Sequence, residues 1–401
     1  MIKLKNFFDS YLNKKPLFKN KKVLQVNYTP EALPHRDSQV DYIAGVLAPA
    51  LRVEKPSNLF LFGKTGSGKT LTVKYVTSQI MEIAIQKKLS LEIIYLNCKL
   101  KRVADTEYRL IVQLAKEFGI DIPATGLPTD EVYKIFLKHL DSKKILVILV
   151  LDEIDQLVKK AGDEFLYNLT RINSELSNVE ISIIGISNDL LFLDNIDPRV
   201  KSSLSEEELV FPPYNAIQLQ DILKQRSIEA FEPNTVNEGV IEKCAAYAAR
   251  EHGDARRALE LLRVAGELAE RRNKVNIEIE DIDHAEEKIE KDKVLEVINT
   301  QPKQFQLTLM SIFEVLDNGS DDPVFTGDIF DVYKELCNKI KIKPLTQRRL
   351  SDIIAELDML GIINAKVVSK GRYGRTREIR LAVPPSTVPN IRLSIKEGLG
   401  L

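Results

Sequence analysis

The most explicit chemistry in this chain lies in eight consecutive residues, Gly63, Lys64, Thr65, Gly66, Ser67, Gly68, Lys69 and Thr70, which fit the pattern GxxxxGK[ST]. Glycines at these positions let backbone N–H groups close around phosphate oxygens, an approach that side chains would obstruct. The helix expected after the loop adds the positive end of its dipole. In this pattern Lys69 reaches the β- and γ-phosphates and Thr70 holds Mg²⁺. A second group, Asp152-Glu153-Ile154-Asp155, closes the apolar run Ile145 to Leu151. Carboxylates at the carboxyl end of a buried strand stand where parallel sheets bind ligands. Asp152 can hold Mg²⁺ through water, and Glu153 can polarise an attacking water. Acidic residues after a strand can also be a plain solvated turn. The phosphate loop upstream is what gives these two a task.

The elements that must position these groups are visible as apolar runs. Asn58 to Gly63, Leu91 to Cys98, Ile145 to Leu151 and Val179 to Ser187 read as strands, and Thr70 to Lys88 as a helix with Val73, Val76, Ile80 and Ile83 on one face. Near-continuous apolar strands separated by helices predict an α/β domain with a parallel sheet covered on both faces. Residues 1 to about 30 are basic and aromatic and read as an arm lying on this first domain, which ends at 214. From Asn215 strand signals stop, so 215–293 is expected to be an all-helical domain. Its marks are a turn at Pro233-Asn234 and a strong helix from Gly253-Asp254 to Arg271. Residues 294–401 form a third domain. A helix from Lys303 to Asp317 is stopped by Asn318-Gly319, and further helices begin near Thr326 and Thr346. A two-stranded hairpin then spans Ile362 to Val383.

This third domain carries its own chemistry. Thr346 can cap a helix running to Leu360, whose stripe Leu350, Ile353, Ile354, Leu357 and Leu360 faces a core. Gln347, Arg348, Arg349, Ser351 and Asp352 lie near the N-terminal end, the end that meets base edges in helix-turn-helix proteins. The hairpin tip holds Lys370, Arg372, Tyr373, Arg375 and Arg377, with Gly371 and Gly374 for a tight turn. Its arginines can reach phosphates or a minor groove. The whole chain has a formal net charge of −1. Lys339 to Arg380 nevertheless holds eleven Lys and Arg against four Asp and Glu, a net of +7 that leaves −8 on the remainder. A basic block on a mildly acidic body suits one polyanion-binding module; a solvated charged face is the alternative. The helix pair before the basic hairpin favours a winged helix.

Beyond these two groups stand Ser187-Asn188-Asp189, Asp197-Pro-Arg199-Val-Lys-Ser-Ser203, Phe211-Pro-Pro-Tyr214 and Gly253-Asp-Ala-Arg256-Arg257-Ala-Leu. In this order, the set resembles the AAA+ class. Within that class it is similar to the archaeal initiators related to the eukaryotic origin-recognition and cell-division-control proteins. The resemblance covers nearly the whole chain. It implies an AAA+ P-loop domain with a parallel sheet, an all-helical lid and a C-terminal winged helix. It also implies that Asn188 orients the attacking water and that Arg256 reaches the γ-phosphate from the lid. Tyr214 and Arg226 match lid-side nucleotide contacts, and Pro34 and Arg36 lie in the segment lining the adenine pocket. Arg199 matches a finger inserted by a neighbouring subunit. Ser203 stands where some relatives carry a second arginine, so Lys201 is a rival for that role, and Arg199 could instead make a domain-interface ion pair. Between the second and third strands, Lys99 to Asp141 matches a helical insertion that touches DNA in this family, with Lys101, Arg102 and Arg109 as candidate contacts; a plain surface helix is the other reading.

The function implied is an ATP-binding replication initiator that recognises double-stranded origin DNA and helps recruit or load the replicative helicase. It would work alone or beside a paralogous initiator subunit. It would hydrolyse ATP slowly to ADP with Mg²⁺, mainly as a conformational switch. The alternatives are an AAA+ motor of the branch-migration type and a regulatory ATPase whose winged helix is a protein-interaction module. Three dispersed cysteines without a CxxC pair argue against a disulfide framework and a zinc site, and four scattered histidines show no metal cluster. The longest strongly apolar run, Ile145 to Leu151, is far too short to span a bilayer. A cytoplasmic, chromosome-associated protein with no membrane partner is expected.

Overall fold

The computed structural model describes residues 15–26, 28–99, 107–123, 125–142, 144–204, 207–318, 324–369, 375–384 and 387–400. It divides into two compact units, Met1–Ile282 and Asp283–Leu401.

In the first unit α1 (Asp37–Leu47) and β1 (Leu59–Phe62) lead into α2 (Lys69–Gln86), β2 (Leu91–Asn97), α3 (Glu107–Glu117) and α4 (Thr129–Leu140). There follow β3 (Ile145–Asp152), α5 (Ile154–Ala161), α6 (Glu164–Glu175), β4 (Val179–Ser187), α7 (Pro198–Leu204) and β5 (Glu207–Val210). The strands are parallel in the order β2-β3-β4-β1-β5. All of β1, and β3 from Leu146 onward, is buried, so the sheet needs cover on both faces. Alternate residues supply it. Phe60, Val147, Leu149 and Leu151 pack with Leu110, Leu114, Phe136 and Phe165 on one side. Leu59, Leu61, Leu146, Ile148 and Val150 pack with Ile43, Leu47, Val73 and Val76 on the other. Ile83, expected on the same stripe as Val73, is 38% exposed near the end of α2. The four strands expected from sequence are joined by a fifth, β5. It is a short edge strand on which half-buried and exposed positions alternate and two of four residues are Glu. The stretch between β2 and β3 holds the helix pair α3 and α4.

Three helices follow, α8 (Ala216–Ala230), α9 (Val240–Arg250) and α10 (Ala255–Arg271). A reciprocal box of Asn215 and Gln218 starts α8, and Asp254 caps α10 by accepting N–H bonds from Arg256 and Arg257. The N-terminal arm lies on this helical lid rather than on the sheet. Leu17, Val23 and Leu24 are buried, and the Phe18 ring lies 4.7 Å from that of Phe231. The backbone N–H groups of Lys19 and Asn20 donate to the carbonyl of Ala230, and Lys21 pairs with Glu267 at 2.6 Å. Gly266 opens the seat, since a Cβ there would stand 2.6 Å from the Phe18 ring. The arm goes to the lid because its apolar side chains find a groove there, whereas both sheet faces are already covered. Helix α11 (Ile279–Thr300) runs through the point where the two units divide. The boundary expected at 293/294 also falls inside this helix, whose buried positions continue from Ile289 to Ile298.

The second unit contains α12 (Lys303–Asn318), β6 (Val324–Phe325), α13 (Thr326–Lys339) and α14 (Gln347–Met359). It ends with β7 (Ile363–Ser369), β8 (Arg375–Leu381) and α15 (Val388–Leu399). The antiparallel sheet has the order β6-β8-β7, so the expected hairpin gains a third, two-residue strand. Among the described residues, no helix is long and apolar enough to cross a membrane.

Candidate functional site

Strand register assembles the first site. Phe62 pairs with Ser187, and Asp152 with Ile186, so the carboxyl ends of β1, β3 and β4 lie side by side. The phosphate loop, Asp152 and Asn188 leave those three ends into one crevice, the usual ligand position of a parallel sheet.

The loop depends on its glycines. Gly66 and Gly68 have φ of 69° and 96°. A Cβ on Gly68 would lie 2.8 Å from the Tyr214 hydroxyl, and one on Gly66 only 1.7 Å from Oδ1 of Asp254. The lid turn therefore rests directly on the loop, where the Ala255 N–H donates to the Gly66 carbonyl at 3.3 Å. Gly66→Ala is expected to cost ~1–3 kcal/mol of strain and lower the melting temperature by several degrees. Calorimetry of the nucleotide-free variant checks this, and an unchanged midpoint refutes the contact.

Lys69 donates to the carbonyls of Gly63 (2.6 Å) and Lys64 (2.9 Å) and to Oδ1 of Asn188 (3.0 Å). Burial pulls its pKa down to about 8, against the opposing pull of Asp152. The Thr70 hydroxyl meets both carboxylate oxygens of Asp152 at 3.2 and 3.1 Å. Two further residues, which the sequence reading left without a role, complete this corner. The Tyr95 hydroxyl donates to Oδ2 of Asp152 at 2.8 Å. Asp155, buried, accepts from the Ser187 hydroxyl and the Asn188 N–H, both at 3.3 Å, and so fixes the loop that carries Asn188. Glu153 takes a left-handed φ of 57° at the start of α5, with Lys99 3.6 Å from its Oε2.

A cleft of about 520 Å³ opens over these groups. Pro34, Gly66, Gly68, Lys69, Thr70, Asp152, Glu153, Asn188, Tyr214, Arg226 and Arg256 line it. Arg36 is behind the loop instead. Its guanidinium donates to the carbonyls of Ser67 (2.9 Å) and Pro212 (2.6 Å) and stacks 3.8 Å from the Tyr214 ring centre. Burial lowers its pKa. Arg36 is thus a strut between the loop and the entry to the lid, not a wall of the cleft. Arg199 on α7 is apart from the cleft lining, with its side chain 80% exposed and paired to Asp197 at 2.8 Å; Lys201 pairs with Asp194. Tyr28 also lines the cleft, with the Arg226 guanidinium stacked 4.7 Å from its ring centre. A lone aromatic in a basic arm carried no signal of that placement.

The cleft fits a nucleoside triphosphate and a hard cation. Among the described residues, the buried Arg226 Nη1, on the cleft lining, has no hydrogen-bond partner, the condition of a group waiting for a ligand. The oxygens of Thr70 and Asp152 stand together at the loop end, a donor set suited to Mg²⁺.

The second unit presents a different surface. The Thr346 hydroxyl accepts the Arg349 N–H and starts α14. Leu350, Ile353, Ile354 and Leu357 are buried, while Leu360, expected on the same stripe, is 45% exposed beyond the helix end. Gln347, Arg348 and Arg349 are exposed at the N-terminal end, and Arg349 meets Asp352 at 3.5 Å. Arg377 is not at a free tip: its guanidinium donates to the Ser351 carbonyl at 3.1 Å, tying β8 to α14. Arg375 begins β8, paired with Ser369. Lys370, Arg372 and Tyr373 lie outside the described residues, as do Lys101 and Arg102. Arg109 is exposed on α3 in the first unit.

Comparison with known proteins agrees in each region. A model of the AAA domain matches residues 52–192, one of the Cdc6 AAA+ ATPase-type lid domain 220–287, and one of the Cdc6 C-terminal winged helix domain 296–390. The chain is 55% identical to an ORC1-type DNA replication protein of Pyrococcus furiosus, over 97% of this chain and 93% of that protein. It is 50% identical to ORC1-type DNA replication protein 1 of Methanosarcina mazei, over 97% and 94%. Among solved structures, Aeropyrum pernix ORC1 protein in complex with DNA superposes with a TM-score of 0.82 at 46% identity, covering 96% of this chain and 98% of that one.

Proposed function

This chain belongs to the ORC1-type DNA replication proteins, and we propose that it is an ATP-binding initiator that recognises duplex origin DNA through its winged unit. Nucleotide state would set whether it recruits or loads the replicative helicase. In the cleft, the backbone N–H groups of residues 66–70 and the Lys69 ammonium take the phosphates. Thr70 and Asp152 would hold Mg²⁺, which would supply neutralisation of the phosphate charge when bound. Glu153 polarises the attacking water, Asn188 orients it, and Arg256 senses the γ-phosphate from the first turn of the lid helix α10. Tyr214, Arg226 and Pro34 hold the nucleoside side. Arg199 stands apart from its own cleft, so it serves a neighbouring copy or paralogue. A lone subunit lacks that arginine and turns over slowly, since such trans arginines supply on the order of 10³-fold or more in rate.

The observation that carries the DNA reading is the N-terminal end of α14. There Gln347, Arg348 and Arg349 stand exposed while the opposite face of the helix is buried in the unit's core. That the similar Aeropyrum pernix protein was solved with DNA supports it. A footprint of the full chain on genomic DNA tests the reading: one protected inverted repeat is expected, and uniform protection refutes it. The helix and the wing are separable. Arg348→Ala is expected to cost ~1–3 kcal/mol and relax preference at one base pair. Arg372→Ala is expected to weaken all sequences alike and flatten the salt dependence by about one charge. Salt titrations on specific and scrambled duplexes distinguish these outcomes. If both variants lose only non-specific affinity, α14 is not the reader.

A further inference from the structure

We infer that Tyr95 is a positioning residue for the magnesium site, holding the Asp152 carboxylate in register for the metal; this rests on the reading of Asp152 given above. Tyr95 comes from β2, the neighbour of β3, and pairs with Val150 two residues before Asp152. Its side chain therefore rises beside the end of β3. The hydroxyl donates to Oδ2 of Asp152 at 2.8 Å, and Lys74 of α2 lies 4.8 Å from the ring centre on another side.

The second donor to that carboxylate is Thr70, which approaches both of its oxygens. In the proposed site Thr70 turns its hydroxyl oxygen to the metal, and its hydrogen bond to Asp152 is then given up or rearranged. Tyr95 is not a candidate metal ligand and keeps its bond through that change. It would anchor the carboxylate through Oδ2. Without the phenol, the carboxylate would be free to rotate when the cation arrives, and ordering it would draw on binding energy. Groups that orient a metal's ligands commonly contribute as much as 10–100-fold to its affinity. The Tyr95 hydroxyl has that relation to Asp152.

The test is Tyr95→Phe, which removes one oxygen and keeps the ring in the wall. A fluorescent ATP analogue is titrated onto the full chain at graded Mg²⁺ and, separately, in excess chelator. The half-saturating Mg²⁺ concentration is expected to rise about 10-fold, while affinity in chelator stays within about twofold. Asp152→Asn, measured in parallel, should raise the Mg²⁺ requirement at least as far. A wild-type Mg²⁺ dependence in Tyr95→Phe beside a shifted Asp152→Asn overturns the positioning role alone. Wild-type behaviour in both overturns the underlying assignment of Asp152, and the inference with it. Equal weakening with and without Mg²⁺ in Tyr95→Phe assigns the phenol to the shape of the phosphate loop and also overturns it.

Discussion

Lys69→Ala is expected to abolish tight ATP and ADP binding while leaving the nucleotide-free fold intact. All three hydrogens of the ammonium are engaged, on Gly63, Lys64 and Asn188. A phosphate oxygen replaces at least one of these acceptors with a charged one, and hydrogen bonds to charged groups are worth ~1.5–3 kcal/mol each. Losing two such bonds weakens binding by roughly 3 kcal/mol or more, about 100-fold. The nucleotide-free protein should suffer less. Burial pulls the Lys69 pKa from 10.5 to about 8, so burying the ammonium is unfavourable before a ligand arrives. The expected thermal signature is a near wild-type midpoint without nucleotide and loss of the rise that added nucleotide gives wild type. Retained tight binding by the folded variant would sink the phosphate-loop assignment.

Glu153→Gln should separate binding from turnover. Glu153 follows Asp152 but turns out of the strand with a left-handed φ of 57°. A non-glycine residue held in that region is strained, a feature that concentrates at functional sites. The turn lets adjacent residues serve different tasks, with Asp152 toward Thr70 and Glu153 toward the open cleft. Gln keeps the shape and removes the base, so hydrolysis should fall by ~10²–10⁴-fold with nucleotide affinity nearly unchanged. Single-turnover hydrolysis and equilibrium binding on the same preparation check this. Unchanged hydrolysis refutes the role of Glu153, and a parallel loss of affinity places its charge in ground-state binding instead.

The groups legible in the sequence are those whose signal is local. The phosphate loop is one run of residues, Asp152 ends an unbroken apolar strand, and Thr346 and Asp254 cap helices that their own next residues define. What the sequence hid comes from long-range packing. The edge strand Glu207–Val210 has half its residues charged and no residue fully buried, so it lacks the apolar run that marks the other strands. Arg36 carried a cleft-lining role by resemblance, but its place behind the loop depends on Ser67, Pro212 and Tyr214. Tyr95 and Tyr28 look like ordinary strand and arm aromatics until Asp152 and Arg226 are brought beside them. Arg377 reads as one more basic residue of the hairpin, yet its partner is a backbone carbonyl on α14. That bond is invisible in charge pattern.

The arm's seat on the lid bears on the order in which the chain can acquire its parts during synthesis. The Leu17 N–H donates to the Glu270 side chain, 253 positions later. The first described residues to leave the ribosome thus wait for almost the last residues of the first unit. The sheet core, closed by residue 210, requires none of those contacts. The cleft requires both ends: its lining includes Leu24, Tyr28 and Pro34 from the arm together with Tyr214, Arg226, Arg256 and Leu259. The complete cleft is therefore available to nucleotide only once the lid has been made. On an emerging chain, the sheet must fold by its own apolar packing, with the arm solvated and the phosphate loop unfilled.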